Sequence, residues 1–210
     1  LRQVTSMNLT RNSIIRLKKV TASKGVMATL TRLVITKTNM QEVDAEDFSL
    51  CPNLIQLDLS DNVITIVRPS AFMSQSKLER LDLSGNRLIR LPGLSMQGMA
   101  SLRTFNLSGN KLSLLDIFPW DLAKLQILDM SFNEIRSLDQ KVFHHLENLV
   151  KLNLKGNKIS QVSHSVFLAE QPLKGLDLRQ NNLEKLPYEA IDVIENSLEA
   201  LHVEGKFFRV

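Results

Sequence analysis

The chain has 210 residues, 43% hydrophobic and 23% charged, with a formal net charge of +4. That length supports one substantial core or one long repeat array, and no apolar run approaches the ~20 residues of a membrane-spanning helix. A single cysteine, Cys51, excludes an internal disulfide and reads as a buried structural thiol, and no Cys/His set has metal-site spacing.

The positive charge is concentrated at the start. Residues 1–37 hold eight Lys or Arg and no acid, so the net charge divides as +8 and −4. Arg16, Lys18, Lys19, Arg32 and Lys37 are candidate anion-binding residues, with an anionic polysaccharide, an acidic protein face or a membrane surface as partner. The alternative is an ordinary solvated face. Nothing resembles a nucleic-acid module with stacking aromatics.

One pattern recurs along the chain. VTSMNLTRNSI starts at Val4 and LTRLVITKTNM at Leu30, separated by the stretch KKVTASKG, which predicts a longer loop. LIQLDLSDNVI follows at Leu54, LERLDLSGNRL at Leu78, LRTFNLSGNKL at Leu102 and LQILDMSFNEI at Leu125. LVKLNLKGNKI starts at Leu149, LKGLDLRQNNL at Leu173 and LEALHVEGKFF at Leu198. The six clearest copies are spaced by 24 or 23 residues. Three residues after each eleven-residue block comes another aliphatic, twice followed by proline (Pro92, Pro187). Further on comes an aromatic: Phe48, Phe72, Phe143 or Phe167.

Residues three to seven of each copy alternate outward and inward, as in a half-buried strand. With a full period between strands and no hairpin turn, neighbouring strands must be parallel. One unit cannot bury its own leucines; stacked units align them into a continuous core. The position-nine asparagines (Asn12, Asn62, Asn86, Asn110, Asn133, Asn157, Asn181) fall where the chain turns inward, where a buried amide can satisfy backbone groups of adjacent turns. The phenylalanines would fill the core behind the convex side. Thr38 replaces one ladder asparagine and should weaken it. Gln75 and Glu170 stand where other copies place an apolar residue, which predicts local rearrangement. Trp120, in the IFPW stretch, is expected to plug the core or a loop.

These copies, with the consensus LxxLxLxxNxLxxLPxxxFxxLxx, resemble the leucine-rich repeat family in its 24-residue typical subclass, over nearly the whole chain. The resemblance implies an α/β repeat solenoid. Its shape would be a curved horseshoe, with a parallel sheet on the concave face and short irregular, 3-10 or loop segments on the convex one. About nine repeats would form a single domain over 1–210. The cysteine-rich caps of extracellular relatives are absent, and EGKFFRV departs from the family's Asn-Pro-Phe-x-Cys motif at Lys206 and Val210. That favours a fragment of a longer extracellular or cell-surface ectodomain; a cytoplasmic protein capped otherwise is the alternative.

Nothing points to catalysis, a cofactor or a small-molecule substrate. His144, His145, His164 and His202 fall in no ligand-spaced set. The family's commonest role implies protein recognition on the concave face, as part of a receptor or adhesion protein that binds a protein ligand, a co-receptor or a second copy of itself. An intracellular scaffold or regulatory subunit is the second reading and anionic-glycan binding the third.

The predicted partner-binding face combines Arg32, Gln56, Arg80, Thr104, Ile127 and Lys151 at position three with Asp58, Asp82, Asn106, Asp129, Asn153 and Asp177 at position five. Gly175 and Val34 complete the two columns. Arg80 is expected to neutralise Asp58 or Asp82. Ile127 and Phe132 form a candidate hot spot among charges, unless Phe132 merely folds over its strand end. Asn8-Leu9-Thr10 and Asn106-Leu107-Ser108 are N-glycosylation sequons, although the repeat consensus alone generates such triplets.

Overall fold

The computed structural model describes residues 4–17, 24–113, 115, 122–139 and 141–204. Much of KKVTASKG, all of IFPW with Trp120, and residues 205–210 of the last repeat fall outside that set.

Each copy contributes one three-residue strand at its positions three to five. These are β1 (Ser6–Asn8), β2 (Arg32–Val34), β4 (Gln56–Asp58), β6 (Arg80–Asp82), β7 (Thr104–Asn106), β8 (Ile127–Asp129), β10 (Lys151–Asn153), β12 (Gly175–Asp177) and β13 (Ala200–His202). They form one nine-stranded sheet in chain order. Every pairing is parallel and in register by repeat position, so Leu57 faces Leu81 and Leu81 faces Phe105. The array is therefore a curved parallel-sheet solenoid, as the stacking argument requires. On the return side run two short parallel pairs, β3 (Glu42–Val43) with β5 (Ile66–Val67) and β9 (Ser137–Leu138) with β11 (Gln161–Val162). Helices are short: α1 (Lys24–Thr29), α2 (Ala45–Phe48), α3 (Tyr188–Asp192) and a 3-10 turn at Gly93–Met96.

The consensus leucines are buried almost completely, as Leu54, Leu78, Leu102, Leu125, Leu149 and Leu173 illustrate. Behind them Phe48 stacks on Phe72 at 6.0 Å and Phe143 on Phe167 at 5.9 Å, so the aromatics do fill the convex side of the core. Met96 takes the aromatic position of the repeat that starts at Leu78 and is equally buried. Cys51 is buried as expected, and burial pushes its thiol pKa up to about 11.

The asparagine ladder is present. Asn110 donates to Leu83 O of the preceding turn (2.9 Å) and to Leu107 O of its own (3.0 Å), while its Oδ1 accepts from Leu88 N–H (3.0 Å). At Thr38 the ladder is re-registered: its own N–H (2.9 Å) and hydroxyl (2.6 Å) both donate to Asn62 Oδ1. The two polar departures resolve alike. Gln75 is buried and its amide donates to Phe48 O (2.9 Å). Glu170 is exposed, and the chain slips by one so that buried Gln171 donates to Phe143 O (3.2 Å) and Leu146 O (3.0 Å).

Candidate functional site: the concave sheet face

Two side-chain columns cross the outward face of the sheet. The position-five column is held from within the fold. Asp58, Asp82 and Asp129 each use Oδ1 to accept the N–H and hydroxyl of the serine two residues on, at 2.6–3.0 Å. The second oxygens of Asp82 and Asp129 accept the amides of Asn106 (3.1 Å) and Asn153 (2.9 Å) on the next strand. Asp177 accepts from the Arg179 guanidinium at 2.6 Å. Burial alone would raise the Asp177 pKa, but the side-chain and backbone hydrogen bonds from Arg179 outweigh it and hold the carboxyl below its usual range.

These side-chain-to-backbone turns lead into position eight, which is left-handed in every repeat from the first to the eighth. Arg11, Lys37, Asp61, Gly85, Gly109, Phe132, Gly156 and Gln180 all have φ between +54° and +69°. The glycines at three of these positions were a visible sign of that conformation.

The position-three column has no such structural duty. Arg80, Ile127 and Lys151 are exposed, with Thr104 half-buried between them. The register places Arg80 between Gln56 and Thr104, and Asp82 between Asp58 and Asn106. Among the described residues no ion pair joins Arg80 to either aspartate, so the expected neutralisation does not occur and Arg80 keeps its charge for solvent or a partner.

Ile127 is 39% exposed between Thr104 and Lys151, and Phe132 is 54% exposed. Phe132 adopts φ +54°, which costs a bulky side chain about 1 kcal/mol or more. Its ring lies across the strand end onto the next repeat: a Cβ at Gly156 would stand 2.6 Å from ring carbon Cδ1. The Lys155 ammonium sits 5.7 Å from the ring centroid, within cation–π range. The ring thus folds over the strand end and still presents an exposed edge.

The N-terminal basic residues do not form one free patch. The Arg16 side chain, 11% exposed, pairs with Glu42 and Asp44, and Arg68 bonds Glu42 from outside (2.6 Å). Asp44 also caps α2, so this cluster ties three repeats together. Lys37 Nζ lies 3.9 Å from Asp61, and Arg32 is exposed on β2. Lys18 and Lys19 lie outside the described residues. Of the two sequons, Asn8 is exposed at the first strand. Asn106 is half-buried, and its amide nitrogen is engaged by Asp82. Among the described residues no group of three or more His, Cys, Asp or Glu is placed to hold a metal ion, and no helix is long and apolar enough to cross a membrane.

A family profile described as leucine rich repeat matches the chain over residues 28–88, 64–112, 76–135, 116–159 and 147–205. No curated protein sequence matches it. Among solved structures, the crystal structure of the TLR13–ssRNA13 complex is similar at 26% identity and TM-score 0.85, over 96% of this chain and 28% of that one. A leucine-rich repeat protein of Leptospira interrogans is similar at 24% identity and TM-score 0.75, over 94% of this chain and 48% of that one. An internalin of Listeria monocytogenes is similar at 24% identity and TM-score 0.69, over 95% and 56%. The chain therefore spans between about a quarter and somewhat over half of the length of these structures, and the latter two bear on fold alone.

Proposed function

The chain belongs to the leucine-rich repeat family, and we propose that it is a non-enzymatic recognition module that holds a protein ligand on its concave face. The observation that carries this reading is the division of labour across that face. Position five is committed to the fold, while position three leaves Arg80, Thr104, Ile127 and Lys151 in adjacent strands with side chains to solvent. Nine strands at ~4.8 Å spacing extend roughly 40 Å, enough for an interface of the standard ~1,200–2,000 Å². Phe132 adds an aromatic anchor at the end of this row, of the kind that dominates binding energy.

The RNA of the TLR13 complex belongs to that protein. On this chain the acidic column of Asp58, Asp82, Asp129 and Asp177 runs along the sheet and would repel a polyanion, which favours protein over nucleic acid. An anionic glycan has less to support it, because Arg16 is turned to its own carboxylates. An extracellular receptor or adhesion protein is the setting we favour, supported by the sequon at exposed Asn8; an intracellular scaffold is the alternative.

A biotinylated multimer of the chain, applied to a panel of cell lines and an arrayed set of cell-surface ectodomains, tests this. The Arg80→Glu/Lys151→Glu variant should lose whatever binding the wild type displays, and Lys77→Glu/Arg90→Glu, away from the sheet, should keep it. Equal loss in both variants, or none in the first, contradicts the concave-face reading. A chain secreted from mammalian cells should lose mass on treatment with an N-glycosidase, and Asn8→Gln should abolish that loss. No change on treatment counts against the extracellular setting.

A further inference from the structure

The side wall on which the chain leaves the sheet follows the repeat as closely as the sheet does. Positions ten and twelve lie outside a buried position eleven, which is Leu88, Leu112, Ile135 or Ile159 in four successive turns. The N–H groups of Lys111, Glu134 and Lys158 bond the position-eleven carbonyls of the turns before them at 2.8–2.9 Å. The wall is thus a loose parallel ladder whose turns stack at roughly the ~4.8 Å of paired strands.

Each of these four turns places one exposed cation on the wall: Arg87, Lys111, Arg136 and Lys158. Glu134 is the one acid at positions ten and twelve of these turns, and it accepts from Lys158 at 2.9 Å. That hydrogen bond, with the charges of Lys158, Lys111 and Arg136, holds the Glu134 carboxyl below its usual range. Among the described residues Arg87, Lys111 and Arg136 have no ion-pair partner. The row is bounded by Val63 and Thr65 before it and by Asn182 and Glu184 after it. It therefore differs from the N-terminal bases, where Arg16 is turned to its own carboxylates.

We propose that this wall is a second binding site, for a sulfated polysaccharide that runs along the solenoid and sets one anionic group against each turn. Arg87, Lys111 and Arg136 are its main contacts, and a guanidinium can meet a sulfate with two parallel hydrogen bonds as it does a phosphate. The spacing favours a glycan over an acidic peptide. A sugar ring is about as long as one turn of the wall, whereas an extended peptide presents alternate side chains every ~6.7 Å and falls out of step with the row. Ser113 and Ser160 stand between the cations, with Ile89 at one end, so the row holds no aromatic platform for stacking bases. The site presupposes the extracellular setting favoured above, but binding between purified components does not. It shares no residue with the Arg80 and Lys151 row, so its failure would leave the concave-face reading standing.

The purified chain is passed over immobilised heparin by surface plasmon resonance at physiological salt. Arg87→Gln/Lys111→Gln/Arg136→Gln should weaken binding at least about ten-fold. Lys77→Gln/Arg103→Gln/Lys124→Gln removes the same charge beside position one, at the other end of the strands, and should stay within about two-fold of the wild type. Glu134→Gln frees Lys158 and should tighten binding about two- to three-fold. Soluble heparin should compete, and desulfated heparin and poly-glutamate should compete at least about ten-fold less well. No binding by the wild type, equal loss in the two triple variants, or weaker binding by Glu134→Gln would overturn the proposal. Poly-glutamate competing as well as heparin would overturn it in favour of an acidic protein segment.

Discussion

Buried amides hold successive turns of this solenoid together, and their value follows from what each leaves unsatisfied when removed. Asn110→Ala strips partners from Leu83 O, Leu107 O and Leu88 N–H at once. Unfolding in urea should register a loss of about 2–4 kcal/mol. Asn12→Ala, at an exposed asparagine bonded only within its own turn, should cost less than about 1 kcal/mol. Cys51 makes a separate prediction. Its folded pKa of about 11 lies above the ordinary 9.0, so the folded thiol binds its proton more tightly than the unfolded one. Stability from this group is complete below pH 9 and declines as pH rises toward 11. Relative to Cys51→Ala, the wild type should lose stability in that window, and a thiol reagent at pH 8 should label Cys51 only in denaturant. Labelling of the native protein at the rate of a free thiol would contradict its burial.

At the level of turns and strands, the informative position is the left-handed residue after each strand. Gly156 combines φ +69° with the Phe132 ring pressed where its Cβ would be. Gly156→Ala should therefore cost about 1–3 kcal/mol in the wild type, and measurably less in a Phe132→Ala background, where only the backbone term remains. A cycle with no coupling would mean that the ring does not rest on Gly156. Phe132→Gly alone should leave stability within about 1 kcal/mol, because relief of backbone strain offsets lost packing, while weakening partner binding. On the convex side Ser95→Ala uncaps Val67 O and should destabilise by about 1 kcal/mol in thermal unfolding.

Across the whole molecule, the features legible in the sequence are those a repeat states many times. Alternation at positions three to seven located all nine strands, of which the structure pairs positions three to five, and the recurrent leucines and phenylalanines located the core. What stayed hidden depends on contacts between neighbouring turns. Arg16 read as a surface cation because its partners Glu42 and Asp44 lie 26 and 28 residues away along the chain. The aspartates of position five read as recognition residues, although local turns and neighbouring amides occupy them. The same division separates face from frame, and hydroxyl-radical footprinting of the chain, free and saturated with the protein partner isolated by multimer binding, tests it most directly. Oxidation of Ile127 and Phe132 should fall at least several-fold in the complex, while exposed Met73 and Leu94, which lie outside the strands of the sheet, stay unchanged. Protection of Met73 and Leu94 with Ile127 and Phe132 unaffected would contradict recognition by the concave face.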